Sequence, residues 1–409
     1  MVQLKKEADM LTIRYKQDLA PAYAAGCRSA LFSLEWKRLG RLPMLYLFVF
    51  CCVTFHCLWI SGSGSGMITE RVRYTADAAA AAGTTLMGGE WDKALQSLPD
   101  SREKLELIRE TVGKTDILEG YDAVHIASLL EENWFITGKP AVLLKAKYRK
   151  LQPSVDTLAE LDASLSVFAA EQTPYVMTHG QDLMKMLTVE SFILACLIAC
   201  FLTGNDLLCQ TEGVLRSTRT GRSQQVLRFC AGACHLFALT LLTWLPSLLA
   251  FCVRWHVGKI LKSNVSSQFL SYLVGAEQVP FLTWIPFSVW GYFLSVMILG
   301  FIQVLFVYIL IWSVSLPLRN SYVSALCFTA LFAFNIALLK NAATEHLWTA
   351  HALLQWLPFS GWYYQSFWFT DMLGYALLPW QETWQTLCLC FLAGFLWMFS
   401  RRKYQKQDL

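Results

Sequence analysis

Charge is what this chain has least of: 16% of its 409 residues are charged, against 55% hydrophobic, and 16 of them are Trp. A chain this long and this apolar cannot clothe itself in solvated side chains, which excludes a water-soluble domain. Catalytic constellations are missing as well. No GxSxG, HExxH or paired Cys-x-x-Cys set occurs and the 7 histidines are scattered, so an enzyme has little to stand on. Gly113-Lys114-Thr115 ends like a phosphate-binding loop, yet Ile108 stands where that motif needs its first glycine. Cysteine is absent from residues 61–186 although the chain has 13, so that stretch has no disulfide framework and must hold itself by packing. Cys230 and Cys234, one helical turn apart with His235 beside them, read as small packing residues rather than metal ligands.

What is present is a series of long apolar runs. Six approach or reach the length of a membrane span: Leu42 to Ile60, Leu187 to Leu202, Val226 to Val253, Phe287 to Ser315, Tyr322 to Leu339 and Trp384 to Phe399. The expected fold class is therefore an all-α polytopic membrane protein, six transmembrane helices with a mainly helical extracellular domain. Its parts are a cytoplasmic N-terminal segment 1–41 with an amphipathic helix, a first span 42–60, an extracellular domain 61–186, and the remaining five spans in 187–409. The last part includes a cytoplasmic segment 203–228 and an outer loop 340–384. Orientation follows from Lys and Arg in the short segments: eight in residues 1–41, four in 203–228, Arg319, and four after Phe399, against three in 254–283 and one in 340–384. The positive-inside rule then puts both termini in the cytoplasm of a plasma-membrane protein, and the net charge of +4 reflects sidedness, with no call for nucleic acid. The first apolar run follows a basic segment and is as long as a full span, so no cleavable signal peptide is expected.

Residues 61–186 hold 18 acidic and 13 basic side chains and open on Ser61-Gly62-Ser63-Gly64-Ser65-Gly66, a flexible linker or a tight exit from the membrane. Val72 to Ala82, Arg102 to Thr111, and the series Leu158, Leu161, Leu165, Phe168 read as helices, with breaks expected at Pro153 and Pro174.

The most informative stretch is Asp206 to Arg222, DLLCQTEGVLRSTRTGR, a polar and basic island between two spans. Basic residues there serve topology by themselves, but acidic ones contribute little to it, which sets Glu212 apart. Asp206, Thr211-Glu212, Leu215, Ser217-Thr218 and Gly221-Arg222 resemble the cytoplasmic signature of permease subunits of the type 2 ATP-binding-cassette (ABC) family. Gln210 departs from it, since the family usually has glycine there. Leu31 to Pro43, LFSLEWKRLGRLP, resembles the amphipathic helix that leads into the first span in that family, with Glu35 and Lys37 at the matching acid and base. Ser313 to Ser321 is similar to its span-four exit, with Asn320 and Ser321 at the turn. The resemblance implies a transporter subunit without enzymatic activity or cofactor of its own, fed by ATP and Mg on separate ABC ATPase subunits and paired with a second permease copy as a homodimer. It implies export of an amphipathic substrate such as a peptide, antibiotic or lipid-linked molecule, in a bacterial membrane. ATPase contacts would be made by Asp206, Glu212, Arg216, Ser217, Thr218, Arg219, Gly221 and Arg222, with Glu35 and Lys37 as a second set. The alternative is a mechanotransmitter or sensor that acts through its extracellular domain and moves no substrate.

Ionisable groups in spans point to a pathway or to local links. Glu190 and His56 both sit near the outer ends of their spans, where snorkelling or a link to the extracellular domain is the simpler reading. His235, deeper, is expected to make a helix-to-helix hydrogen bond. The loop 340–384 is crowded with aromatics, among them Trp362, Tyr363 and Tyr364, and is expected to form short helices re-entering the outer leaflet, broken at Pro358 and Gly361, as part of an exit gate or as an aromatic belt.

Overall fold

The computed structural model describes residues 30–64, 70, 72–73, 96, 99–100, 104–105, 117–161, 163, 173–208, 219–259, 261–262, 264–318 and 320–406. Within them, six helices are long and apolar enough to cross a membrane: Pro43–Gly62, Tyr175–Gly204, Gln225–Arg254, Val289–Leu318, Ser321–Thr344 and Gln381–Tyr404. In number and order these are the runs read from the sequence. The main shift is in the second, whose helix α5 (Thr173–Leu208) begins well before Leu187. Gln181, Asp182 and Lys185 interrupt the apolar run there, yet Val176 and Met177 before them and Leu183 and Met184 among them are buried and carry the helix onward.

A short helix α1 (residues 30–40) leads into α2 (Pro43–Gly62). Leu45, Val49, Cys52, His56 and Ile60 make one buried stripe along α2. Leu47, Phe50, Phe55 and Leu58, on the other sides, are more than half exposed. A helix apolar all round but buried along one stripe is stable only where the surroundings are also apolar. The chain is a multi-pass helical membrane protein. Helices α6 (Arg219–Arg254), α7 (Val289–Leu318), α8 (Ser321–Thr344) and α11 (Gln381–Lys406) complete the bundle. Helix α7 is central, packing on both α5 and α11. Gly232 lets α6 approach this core: a Cβ there would collide with the Tyr308 hydroxyl and stand 2.6 Å from Leu202 Cδ1. Between α7 and α8 the chain reverses at Asn320, whose side chain caps α8 by accepting from the Tyr322 and Val323 amides at 3.0 and 3.2 Å.

The opposite end of the bundle carries a cap built from three insertions. The first holds α3 (Ala123–Asn133) and α4 (Lys139–Glu160), with Asp122 capping α3 through the Val124 and His125 amides. The second is an antiparallel hairpin, β1 (Ser267–Val274) and β2 (Glu277–Phe281), turning at Gly275 with φ +62°. The third runs from Glu345 to Trp380 and holds α9 (Trp348–Leu354) and α10 (Ser360–Tyr363). One apolar core joins them: Leu130, Leu144 and Leu151 from the first, Val274, Val279 and Trp284 from the second, Trp348, Leu373 and Leu377 from the third.

The two prolines expected to break helices behave differently. Pro153 lies inside the unbroken helix α4. The backbone hydrogen bond it forfeits is outweighed by burial of Leu151, Val155 and Leu158 around it and by Ser154, whose hydroxyl donates to Trp284 O at 2.6 Å. Pro174 does mark a helix start, in the first turn of α5. Apart from the hairpin, which the sequence reading missed, the described fold is helical. Residues 74–95, 101–103, 106–116 and 164–172 lie outside the described residues. With them go most of the two helices read at Val72 to Ala82 and Arg102 to Thr111, and Leu165 and Phe168 of the third.

Candidate functional site

Helix α4 places Lys147 on the same face as Leu144 and Leu151, so an ammonium enters the core of the cap. Its Nζ donates to the carbonyls of Asp371 at 2.6 Å, Ala376 at 2.9 Å and Leu373. Next to it the Tyr148 hydroxyl donates to Asp371 Oδ2 at 2.6 Å. The accepting backbone is strained: Phe369, Met372, Leu373 and Trp380 all have positive φ, a region that side chains other than glycine rarely occupy. The lysine thus pins a turn that would not hold its shape alone. Burial pulls Lys147 down to about 7 while the Asp371 charge works the other way, and burial pushes the Asp371 carboxyl up.

This pinned turn and α10 form one side of a cleft of about 500 Å³. Trp134 and Trp348 stack on each other in its lining with ring centroids 5.7 Å apart, and Trp348 Nε1 donates to Trp134 O at 2.7 Å. Tyr364 packs 5.1 Å from Tyr375 and shares a 2.7 Å hydrogen bond with His351, which burial holds down to about 4 and therefore neutral near pH 7. Lys185 of α5 and Lys340 of α8 reach the same cleft. The Lys185 ammonium lies 5.9 Å from the Trp362 ring and 5.8 Å from that of Tyr363. Aromatic walls with two cations suit a ligand that is part apolar and part anionic.

The residues expected at a pathway or gate divide into two places. Trp362, Tyr363 and Tyr364 come together at α10, where Trp362 Nε1 donates to Lys185 O at 2.9 Å and its ring meets Phe332 at 5.2 Å. His56 and Glu190 are elsewhere and pair with each other. His56 is wholly buried, with Nδ1 2.9 Å from Ser247 Oγ and Nε2 3.1 Å from Glu190 Oε1. The two groups thus face each other across α2 and α5 instead of reaching for water, because both lie on the inward stripes of their helices. His235 also differs: among the described residues neither ring nitrogen has a hydrogen-bond partner, and the ring meets Trp36 edge-on at 4.8 Å. The loop 340–384 does form short helices, but it packs under α3 and α4 and against the bundle. The break between α9 and α10 spans Pro358, whereas Gly361 is inside α10, where a Cβ would strike Gln303 and stand 2.8 Å from Gln385 Oε1. Trp368 is fully buried and donates from Nε1 to Gly361 O at 3.0 Å, as a core residue does.

At the other end of the bundle, Glu212, Arg216, Ser217 and Thr218 lie outside the described residues, as does Arg319. Asp206 falls in the last turn of α5, and Arg219, Gly221 and Arg222 in the first turn of α6. Glu35 is buried, with its carboxylate 2.9 Å from Arg228 Nε on α6 and 3.3 Å from Arg38, while Lys37 is exposed. Leu39 faces the bundle beside Glu35, whereas Leu34 points away, 59% exposed, so the apolar face of α1 is narrower than its sequence implies. Among the described residues no group of three or more His, Cys, Asp or Glu could hold a metal ion.

Sequence reasoning missed Lys147, Asp371, His351, Lys185 and Lys340. Two had a signal: Lys147 is the cation inside an apolar i, i+3, i+4 stripe, and Asp371 is the lone acid between Glu345 and Glu382 in a loop of aromatics. The cleft lysines had none, since they converge from helices far apart in the chain. Comparison with known proteins supplies no relative: no protein-family model, no curated protein and no solved structure matches the chain.

Proposed function

We propose that this chain is the membrane subunit of an exporter of the type 2 ABC class. In this reading both termini face the cytoplasm of a plasma membrane, the cap lies outside, and separate ATPase subunits dock on residues 206–222 and on α1. The supporting observation is the buried Glu35–Arg228 pair, which joins α1 to the foot of α6 six residues beyond Arg222. A push on the island or on α1 then reaches the third span as one unit, and tilting of the spans gives alternating access for an amphipathic substrate. Only 17% of the apolar window of α8 is buried, which suits a face turned toward lipid or toward a second copy in a homodimer.

One observation favours the mechanotransmitter as a second reading. Lys147 stitches the first insertion to the loop between α8 and α11, so movement of those spans would be passed to the cap without a substrate crossing.

The test is co-purification of the ATPase from detergent, with its hydrolysis rate, for wild type and a Glu212→Lys, Arg219→Glu variant. Loss of both in a variant with an unchanged gel-filtration profile is the expected result. Intact binding and stimulated hydrolysis would show that the island's charges serve topology alone.

A further inference from the structure

The cleft has properties that a structural void does not need. Lys185 and Lys340 come from different spans and make no hydrogen bond or salt bridge among the described residues. Lys185 is half-buried, and withdrawing an ammonium from water is costly when the nearest carboxylate, Asp182 one turn away, acts on it only at a distance and makes no salt bridge with it. The rings of Trp362 and Tyr363 offset part of this through cation–π contact. Among the described residues no carboxylate lines the cleft: Asp182 and Glu345 are the nearest in sequence to its two lysines, and both are exposed. His346 also lines the cleft and sits in a left-handed backbone conformation, φ 55°. The volume, about 500 Å³, falls in the range of small-molecule sites, which are mostly apolar with a few converging polar groups.

We propose that this cleft binds a small amphipathic anion, its phosphate or carboxylate head between Lys185 and Lys340 and its apolar body against Trp134, Trp348 and Tyr375. A cationic ligand would suit the aromatic faces but not the two lysines, and a bare inorganic anion would leave the rings unused. The head is the shared chemistry of an anionic lipid and of a small amphiphile from the aqueous phase. In naming a substrate class the inference rests on the export reading; as a binding site it stands without ATP or an ATPase.

The experiment uses the full chain in phosphatidylcholine nanodiscs with no nucleotide, so failure of ATPase coupling leaves its outcome unaffected. Dodecyl phosphate is the probe, measured by equilibrium binding against empty nanodiscs, with dodecyltrimethylammonium and inorganic phosphate as comparisons. Saturable binding of dodecyl phosphate, at least about tenfold weaker in Lys185→Met, Lys340→Met and absent for the ammonium amphiphile, is expected, since each charge-assisted contact is worth roughly tenfold or more. Equal binding by wild type and variant, or equal binding of both amphiphiles, overturns the proposal. Lys340 is exposed, so Lys340→Met alone gives the same reading if the double variant does not fold. Nanodiscs containing phosphatidylglycerol separate the sources: lysine-dependent competition assigns the site to a bilayer lipid, and undiminished dodecyl phosphate binding assigns it to an anion from solution.

Discussion

His351 shows what a single buried side chain contributes. It is 1% exposed, bonded to Tyr364 and packed near Tyr375, and no carboxylate among the described residues offsets its burial. Its folded pKa of about 4 lies below the ordinary 6.5, so between those values the unfolded chain holds the extra proton. Stability from this group is complete above 6.5 and falls as the pH drops through 6.5 toward 4, by at most about 3 kcal/mol. Thermal midpoints of wild type and His351→Gln in detergent, from about pH 7.5 down to about pH 4.5, should show the wild-type advantage shrinking with acid. A gap that stays constant would mean that His351 does not titrate across the transition. Tyr364 and Tyr375, both pushed up by burial, stay protonated throughout that range.

Among elements, α1 and α6 behave as a pair because two ionised groups are shut in between them. Glu35 and Arg228 are 5% and 6% exposed. Removing Arg228 leaves the buried Glu35 only its longer, partly exposed contact with Arg38, so Arg228→Met should cost up to about 3 kcal/mol, while adding Glu35→Leu should recover much of that loss. Unfolding midpoints of the two single variants and the double variant close the cycle, and simple additivity would show that the pair is not coupled. The same logic explains why the burial of Glu35 is not legible in the sequence. An acid in an amphipathic helix at the membrane surface looks solvent-facing until the neighbouring helix supplies its arginine.

At the scale of the molecule, the cap is not an independent body. Leu130, Leu144 and Leu151 share their core with Val274 and Trp284 from one insertion and with Trp348 and Leu373 from another, and Lys147 is satisfied by carbonyls more than two hundred residues away. Residues 61–186 expressed alone would expose that apolar face and leave a buried-type ammonium without acceptors. We expect such a fragment to be helical by far-ultraviolet circular dichroism but to lack a cooperative thermal transition. A sharp transition in the isolated fragment would show that the shared core is dispensable.

Solvent and span count are written in the chain itself: apolar runs of spanning length must become helices, because in lipid every backbone amide has to be bonded within its own segment. The break expected at Pro174 is also legible, since a proline is tolerated in the first turn of a helix and nowhere beyond it without cost. What is not legible there is that Pro153 stays inside a helix, that residues 267–281 form a hairpin, and that His56 meets Glu190. Nor is the meeting of Lys185 and Lys340 in one cleft. Those were decided by tertiary structure, because each depends on what a distant segment buries or supplies: a core that outweighs one lost hydrogen bond, carbonyls that accept an ammonium, or two helices that place their charges side by side.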